Sequence, residues 1–391
     1  MIGLLNILAL LTLMAWLYLI LGHGGFWRAT ERLGDFGPDP AQWPGIVAVV
    51  PARNEEAVIG DAAASLLAQD YPGALTVIIV DDNSDDGTRA AAVNATSEHG
   101  SHVIDAGPLV AGWTGKLWAL ARGVEDAKTR CSDAKYFWFS DADIAHEPGN
   151  LRRLVRKAES DDLDLVSLMV GLGCKSFWER LLIPAFVFYF QKLYPFPWVN
   201  DPARRTAAAA GGCVLLRAEA LERIGGLGAI RGELIDDCAL ARAVKDGGAI
   251  WLGHGETARS LRDYQSLGAI WSMVARTAFH QLGYSTPMLA GCVLAMALVY
   301  GAPLVVFALA AFEGAWLALI MAGLAWGLMT LAYGPTLKLY GRPWGAALAL
   351  PVAAAFYVLM TVASANQYWR GRGGAWKSRH HGAGGAVAKE P

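Results

Sequence analysis

Several short polar runs in this 391-residue chain carry residue types that do chemistry. Asp141-Ala142-Asp143 sets two carboxylates one residue apart, a spacing that can direct oxygen towards one hard cation, with water and phosphate oxygens completing the shell. Asp81-Asp82 opens the turn-rich run Asn83-Ser84-Asp85-Asp86-Gly87. Asp236-Asp237 is a further acidic pair, and Arg53 and Lys116 bring cations in Val50-Pro51-Ala52-Arg53-Asn54-Glu55-Glu56 and Gly115-Lys116-Leu117-Trp118. Bland accounts compete with each: a capped turn before a helix begun at Pro148, a helix N-cap at 236–237, a solvated surface for Lys116. His254 has two readings, an extra metal ligand or a hydrogen-bonded core histidine. The five cysteines (131, 174, 213, 238 and 292) form no CxxC pair, which argues against a disulfide framework or zinc site and for small buried apolar residues.

These runs are held by short β-branched segments alternating with helical ones between residues 45 and about 253. Ile46-Val47-Ala48-Val49-Val50 predicts a buried strand ended by Pro51, and residues 55–69 have helical periodicity through Val58, Ala62 and Leu66. Strands are predicted again at 75–80 and 136–140, and helices at 117–127 and 241–245. Such alternation predicts a parallel sheet with covering helices. The polar runs at 51–56, 81–88 and 141–143 fall at strand carboxyl ends, where open α/β sheets bind ligands.

The chain is 54% hydrophobic and 17% charged, with 15 Trp and a net charge of -2. That balance excludes a chain built to coat nucleic acid, and it is too apolar for disorder. Residues 1–286 carry a net -7 and residues 287–391 a net +5. An acidic front joined to a basic, apolar rear predicts a soluble, cation-handling unit tied to a membrane.

Four uncharged stretches reach the length of a bilayer crossing: 1–21, 287–312, 315–333 and 344–361. The first has no basic n-region and no small-x-small cleavage site, so it reads as a signal anchor, with Arg28 and Arg32 placing the α/β stretch in the cytoplasm. Three further crossings would export the basic tail with Arg370, Arg372, Lys377 and Arg379, against the positive-inside tendency. Either that tendency is broken here or 344–361, with Pro351, is re-entrant or in-plane. Residues 181–190, continued by Leu193, Phe196, Pro197 and Trp198 and broken by prolines at 184, 195 and 197 and by Lys192, read as an interfacial helix or an ordinary buried one. The predicted organisation is an anchor at 1–22, an α/β unit at 45–286, a membrane region at 287–363 and a basic tail at 364–391.

The four motifs Val50–Glu56, 81–88, Gly115-Lys116-Leu117-Trp118-Ala119-Leu120 and Ser140-Asp141-Ala142-Asp143 resemble, in order and spacing, those of family-2 glycosyltransferases over residues 45–286. The anchor, the closing helices and Gln367-Tyr368-Trp369-Arg370-Gly371…Trp376-Lys377 further resemble the hopene-associated glycosyltransferases of bacterial hopanoid biosynthesis. The resemblance implies an α/β GT-A (Rossmann-like) domain plus transmembrane helices, in the inner membrane with its catalytic unit facing the cytoplasm. It implies a Mg2+ or Mn2+ ion on Asp143, supported by Asp141, against the diphosphate of a nucleotide sugar. Asp81 and Asp82 would meet base and ribose, with Pro51, Ala52, Arg53 and Glu55 lining the same pocket and Lys116 near the phosphates. Glu233-Leu234-Ile235-Asp236-Asp237-Cys238-Ala239-Leu240 resembles the family's Glu-Asp-x-x-Leu segment, with Asp236 in the Glu position and Asp237 as general base. Gly211 and Gly212 would line the acceptor side, their backbone free to approach the sugar.

Processive members of that family carry Gln-x-x-Arg-Trp, whereas Met273-Val274-Ala275-Arg276-Thr277 keeps only Arg276, still able to fork onto a diphosphate. The expected activity is therefore inverting transfer of one sugar, from a UDP-linked donor, to a lipid hydroxyl, by resemblance a hopanoid. A polyprenyl phosphate or ceramide-like acceptor, a processive polysaccharide synthase and a nucleotide-binding membrane scaffold are the competing readings.

Overall fold

The computed structural model describes residues 1–34, 37–96, 101–371, 379–381 and 387–389. They fall into two compact units. The α/β unit comprises residues 31–173, 198–263 and the tail beyond 374; the helical unit comprises 1–30, 174–197 and 264–374. Segments 174–197 and 264–286, which the sequence pattern runs into the α/β stretch, thus pack with the helices. Arg372, Trp376 and Lys377 lie outside the described residues.

In the α/β unit eight strands form one sheet: β1 (Gly45–Ala52), β2 (Leu75–Asp81), β3 (His102–Asp105), β4 (Ala134–Ser140), β5 (Ile144–His146), β6 (Leu165–Gly171), β7 (Cys213–Arg217) and β8 (Ile250–Ser260). Their order is β3-β2-β1-β4-β7-β6-β8-β5. The first four are parallel, which brings the carboxyl ends of β1, β2 and β4 to one edge. The wholly parallel sheet predicted from the alternation is corrected beyond β4: β7 runs antiparallel to both β4 and β6, and β5 antiparallel to β8. The physical reason is the connection. A single crossover helix compels parallel pairing, but the chain reaches β7 from β6 through the long excursion 172–212.

β1 also runs on through Pro51 to Ala52 instead of ending at the proline. Its pairing with β4 stops at Val49 while pairing with β2 continues to Ala52, so Pro51 lies where one side of the strand is open and needs no donor. The core beneath is made of the inward residues of these strands, including Ala48, Val50, Ile79, Tyr136, Trp138 and Leu215.

The helix Gly115–Arg130 carries Lys116 in its first turn, capped by the Thr114 hydroxyl accepting from Leu117 N at 3.4 Å. It buries Leu117, Leu120, Gly123, Val124 and Ala127. Gly123 permits close packing: a Cβ there would overlap Val49 Cγ1 and come within 2.9 Å of Val80 Cγ2. Gly123→Ala is expected to destabilise the fold by about 1–3 kcal/mol, the usual cost of overpacking. A thermal melt unchanged from wild type would refute this close-packing account.

Among the described residues, the helical unit contains four helices long and apolar enough to cross a membrane: Ile2–Leu21, Thr286–Glu313, Trp316–Leu339 and Trp344–Trp369. Leu5, Ala9, Val306, Ala310, Ala315, Ala318 and Ala322 pack together, small side chains that let helix backbones approach. At Ala297–Gly301 the second helix widens to a π-type turn, and the carbonyls of Leu298 and Val299 accept from Thr12 Oγ1 (3.0 Å) and Trp16 Nε1 (2.7 Å). Pro351 sits in the first turn of the helix Leu350–Trp369, where its missing N–H costs nothing, so residues 344–369 form one uninterrupted helical run. The helix Phe177–Leu193 runs through Pro184, which the sequence pattern marks as a break. Leu182, Ile183, Ala185, Val187 and Phe188 on it are fully buried.

Candidate active site

The site is built at the carboxyl edge of β1, β2 and β4. After β1 and β2, two loops are laced together. Ala52 O accepts from Asp82 N at 2.8 Å, and Arg53 Nη1 donates to the carbonyls of Asp82 (2.5 Å) and Asn83 (3.1 Å). Asn54 N and Asp81 both engage Ser84: the Ser84 hydroxyl accepts from Asn54 N (3.1 Å) and donates to Asp81 Oδ1 (2.5 Å). Asn54 and Asn83 take left-handed conformations (φ 51° and 53°), which short amide side chains tolerate. Asp81 and Asp82 are both buried, at 5% and 0% exposure. These bonds make Arg53 a brace between the two loops.

After β4, Asp141 meets Lys116, whose Nζ lies 2.8 Å from Asp141 Oδ1 and 3.3 Å from Asp236 Oδ2. Asp236 and Asp237 open the helix Asp236–Lys245, longer than the 241–245 predicted. Asp237 is oriented by two backbone donors, Gly211 N to Oδ2 and Cys238 N to Oδ1, each at 2.8 Å. Gly211 is required for this approach, because a Cβ on it would lie 2.9 Å from Lys116 Nζ and 3.3 Å from Asp237 Oδ2. Pro51, Lys116, Ser140, Asp141, Gly211, Asp236 and Asp237 line one pocket. Gly212, beside Gly211, faces Val170 and Ile144.

Burial pushes the Asp237 carboxyl up to about 6, with the Asp236 charge adding to it; Lys116 and the two backbone N–H groups oppose this. Burial alone would lower Lys116, but Asp141, Asp236 and Asp237 outweigh it and hold the ammonium protonated. Asp143 is raised, first by burial and then by Asp141, against the pull of Arg262. Its Oδ2 accepts from Arg262 Nε at 2.9 Å, and the same guanidinium donates through Nη2 to Glu55 Oε1 at 2.6 Å. Glu55 and Arg262 border a second, open cleft with Asn54, Glu56, Asp86, Leu261 and Asp263.

Behind the strand end, Ser140 Oγ lies 2.9 Å from His146 Nε2, Asn150 Nδ2 lies 3.1 Å from His146 Nδ1, and Thr257 Oγ1 donates to Asn150 Oδ1 at 2.5 Å. With the Asn150 amide donating to Nδ1, Nε2 carries the proton and donates to Ser140. Burial holds His146 down at about 3, so the imidazole is neutral. A base for Ser140 would need the opposite tautomer; this chain of bonds instead holds the Asp141–Asp143 turn in place.

Among the described residues no three His, Cys, Asp or Glu side chains converge as a metal-binding group. The donor set still suits a hard cation. Asp141 and Asp143 supply carboxylate oxygens, and each already attracts a cationic side chain, Lys116 Nζ at 2.8 Å and Arg262 Nε at 2.9 Å. His254 lies in β8, buried and lowered to about 4 by burial and by Arg32, and belongs to no such group. Arg276 caps the helix Leu267–Ala275 in the helical unit. The site residue the motifs missed is Arg262, which stands in none of them. No spacing signal links it to Asp143, 119 positions away.

Residues 47–225 match the model of "Glycosyl transferase family 2". Among solved structures the chain is similar to the mannosyltransferase PcManGT from Pyrobaculum calidifontis in complex with GDP-Man and Mn2+. The match has a TM-score of 0.53 at 20% identity and covers 93% of this chain and 98% of that one. It is also similar to M. tuberculosis glucosyl-3-phosphoglycerate synthase, with a TM-score of 0.40 at 20% identity over 61% of this chain and 80% of that one. No curated protein sequence matches at a significant level.

Proposed function

We propose that this chain, whose residues 47–225 match the glycosyl transferase family 2 model, is a glycosyltransferase that moves a single sugar, with inversion, from a nucleotide-sugar donor to a lipid hydroxyl at the cytoplasmic face of the inner membrane. The observation that carries this reading is Asp237: a half-buried carboxylate raised to about 6, aimed by two backbone N–H groups, in a pocket shared with Lys116 and Asp141.

Asp237 is the general base. It takes the proton of the acceptor hydroxyl as that oxygen attacks the anomeric carbon, and the nucleoside diphosphate leaves from the opposite face. One base and one displacement give inversion without a sugar–enzyme intermediate. Asp143, supported by Asp141, would hold Mg2+ or Mn2+, which supplies charge neutralisation for the departing diphosphate. Lys116 opposes the rise of the Asp237 pKa beside the reacting centre, and Asp141 and Asp236 share its ammonium. The loops after β1 and β2, with Pro51, Ala52, Arg53, Glu55, Asp81 and Asp82, form the nucleoside side of the site. Gly211 and Gly212 form the acceptor side.

A lipid acceptor is supported by the four membrane-length helices and by the incomplete processive motif at Met273-Val274-Ala275-Arg276-Thr277. A hopanoid, or a precursor of its side chain, is supported by the resemblance of the anchor, closing helices and Gln367-Tyr368-Trp369-Arg370.

The test is nucleoside-diphosphate release by the purified full-length protein in detergent. It uses a panel of UDP- and GDP-sugars, Mg2+ or Mn2+, and a hopanoid polyol, a polyprenyl phosphate or no lipid. Release that needs one donor, the metal and the hopanoid is expected. Turnover should fall as pH drops through about 6, because the protonated Asp237 cannot accept a proton. No release from any donor in any lipid arm, despite nucleotide binding, would sink the transferase reading.

A further inference from the structure

The pair Asp143 and Glu55 comes from two different strand ends, and one guanidinium joins them: Arg262 Nε to Asp143 Oδ2 at 2.9 Å and Nη2 to Glu55 Oε1 at 2.6 Å. The Asp143 and Glu55 side chains are 15% and 14% exposed, and that of Arg262 is 36% exposed. Of the three, the arginine has the route to solvent. Lys116 is not a substitute for it, being committed to Asp141 and Asp236. With the guanidinium on Oδ2, a divalent cation on the Asp143 carboxylate would be repelled by the Arg262 charge and would find one of the two oxygens already engaged.

We propose that Arg262 is the counter-cation of Asp143 in the donor-free protein, and that it must release this carboxylate before a divalent cation takes it. Metal binding is thereby coupled to the arrival of a nucleotide diphosphate. The inference rests on the metal-dependent reading of the site given above. The cleft supplies the exchange partner: a diphosphate accepts a guanidinium fork as well as a carboxylate does, and Arg262 borders the open space with Asn54, Glu56 and Asp86. Arg262 is thus a positioning residue that sets the order of ligand binding.

The test reads Mn2+ binding, without turnover, from the electron paramagnetic resonance signal of free Mn2+ titrated into full-length protein, with and without UDP or GDP. Wild type is expected to bind Mn2+ weakly alone and more tightly with nucleotide, the coupling lying in the usual range of about 5- to 150-fold. Arg262→Gln is expected to bind Mn2+ alone more tightly than wild type, by a factor in that same rough range, with the nucleotide effect reduced. Arg262→Lys keeps the charge but not the fork and should fall between the two, which keeps the test open if the glutamine variant does not fold. Asp143→Asn should abolish the binding. Nucleotide-dependent Mn2+ binding that is the same or weaker in Arg262→Gln overturns the proposal alone. Absence of Mn2+ binding in every protein, with nucleotide present, overturns the metal-dependent reading and this inference together.

Discussion

Asp237→Asn is expected to lower turnover by about 10²–10⁴-fold while leaving nucleotide binding near wild type, because the acceptor hydroxyl loses the group that takes its proton. The substitution is nearly isosteric, so the helix Asp236–Lys245 and the pocket should keep their shape. One penalty is built in. The carboxylate accepts from both Gly211 N and Cys238 N, and an amide can accept on only one side. One backbone donor then loses its partner, at a cost of about 1–3 kcal/mol in stability. Single-turnover measurement at saturating donor separates the chemical step from folding. If the variant retained more than about a tenth of wild-type turnover, Asp237 would not be the base. Loss of the acid limb near pH 6 in any residual activity is the companion result, since Asn does not titrate.

Lys116→Met is expected to be as damaging, by a different route. Its ammonium lies 2.8 Å from Asp141 and 3.3 Å from Asp236, and it also lowers Asp237 electrostatically. Removing one member of this half-buried ionic cluster leaves the others uncompensated. Part of that imbalance is relieved by protonating an acid. The sign for Asp237 is set by its neighbour: Lys116 pulls its pKa down, so without Lys116 it rises further above about 6. The acid limb of the pH–rate profile should therefore move to higher pH, with turnover at neutral pH reduced about 10²-fold or more, the scale of one lost electrostatic contact in a catalytic centre. Lys116→Arg should restore the charge and return the limb towards its wild-type position. A limb that stays in place in Lys116→Met would show that Lys116 does not set the ionisation of Asp237.

Both effects concern residues that the sequence marks well but relates poorly. Asp141-Ala142-Asp143 after the apolar run Tyr136-Phe137-Trp138-Phe139 is legible because a buried strand must end where its polar residues begin. Asp81-Asp82 after Val77-Ile78-Ile79-Val80 is legible for the same reason. Arg53 differs. It falls in a motif that resembles a nucleotide-pocket wall, yet its Nη1 donates to the backbone of Asp82 and Asn83. Local pattern carries no information on whether a charged side chain will be taken up by a neighbouring loop's carbonyls.

The strand direction of β7 and the role of Arg262 show the same boundary. Strand-helix alternation predicts direction only where one helix crosses between paired strands, and the excursion from β6 to β7 is not of that kind. Arg262 comes after β8 and reaches Asp143 and Glu55, which come after β4 and β1.

What the sequence by itself determined is what depends on near neighbours along the chain: the apolar runs that become strands and membrane-length helices, and the acidic turns at strand ends. The four motifs in register belong to the same class. What only the tertiary structure decided is which charges face one another: Lys116 between Asp141 and Asp236, Gly211 N on Asp237, and Arg262 across Asp143 and Glu55. Burial and hydrogen bonding are through-space quantities. The raised carboxyl of Asp237 exists because the folded chain removes water from it and leaves Asp236 beside it, and neither event is written in the spacing of residues.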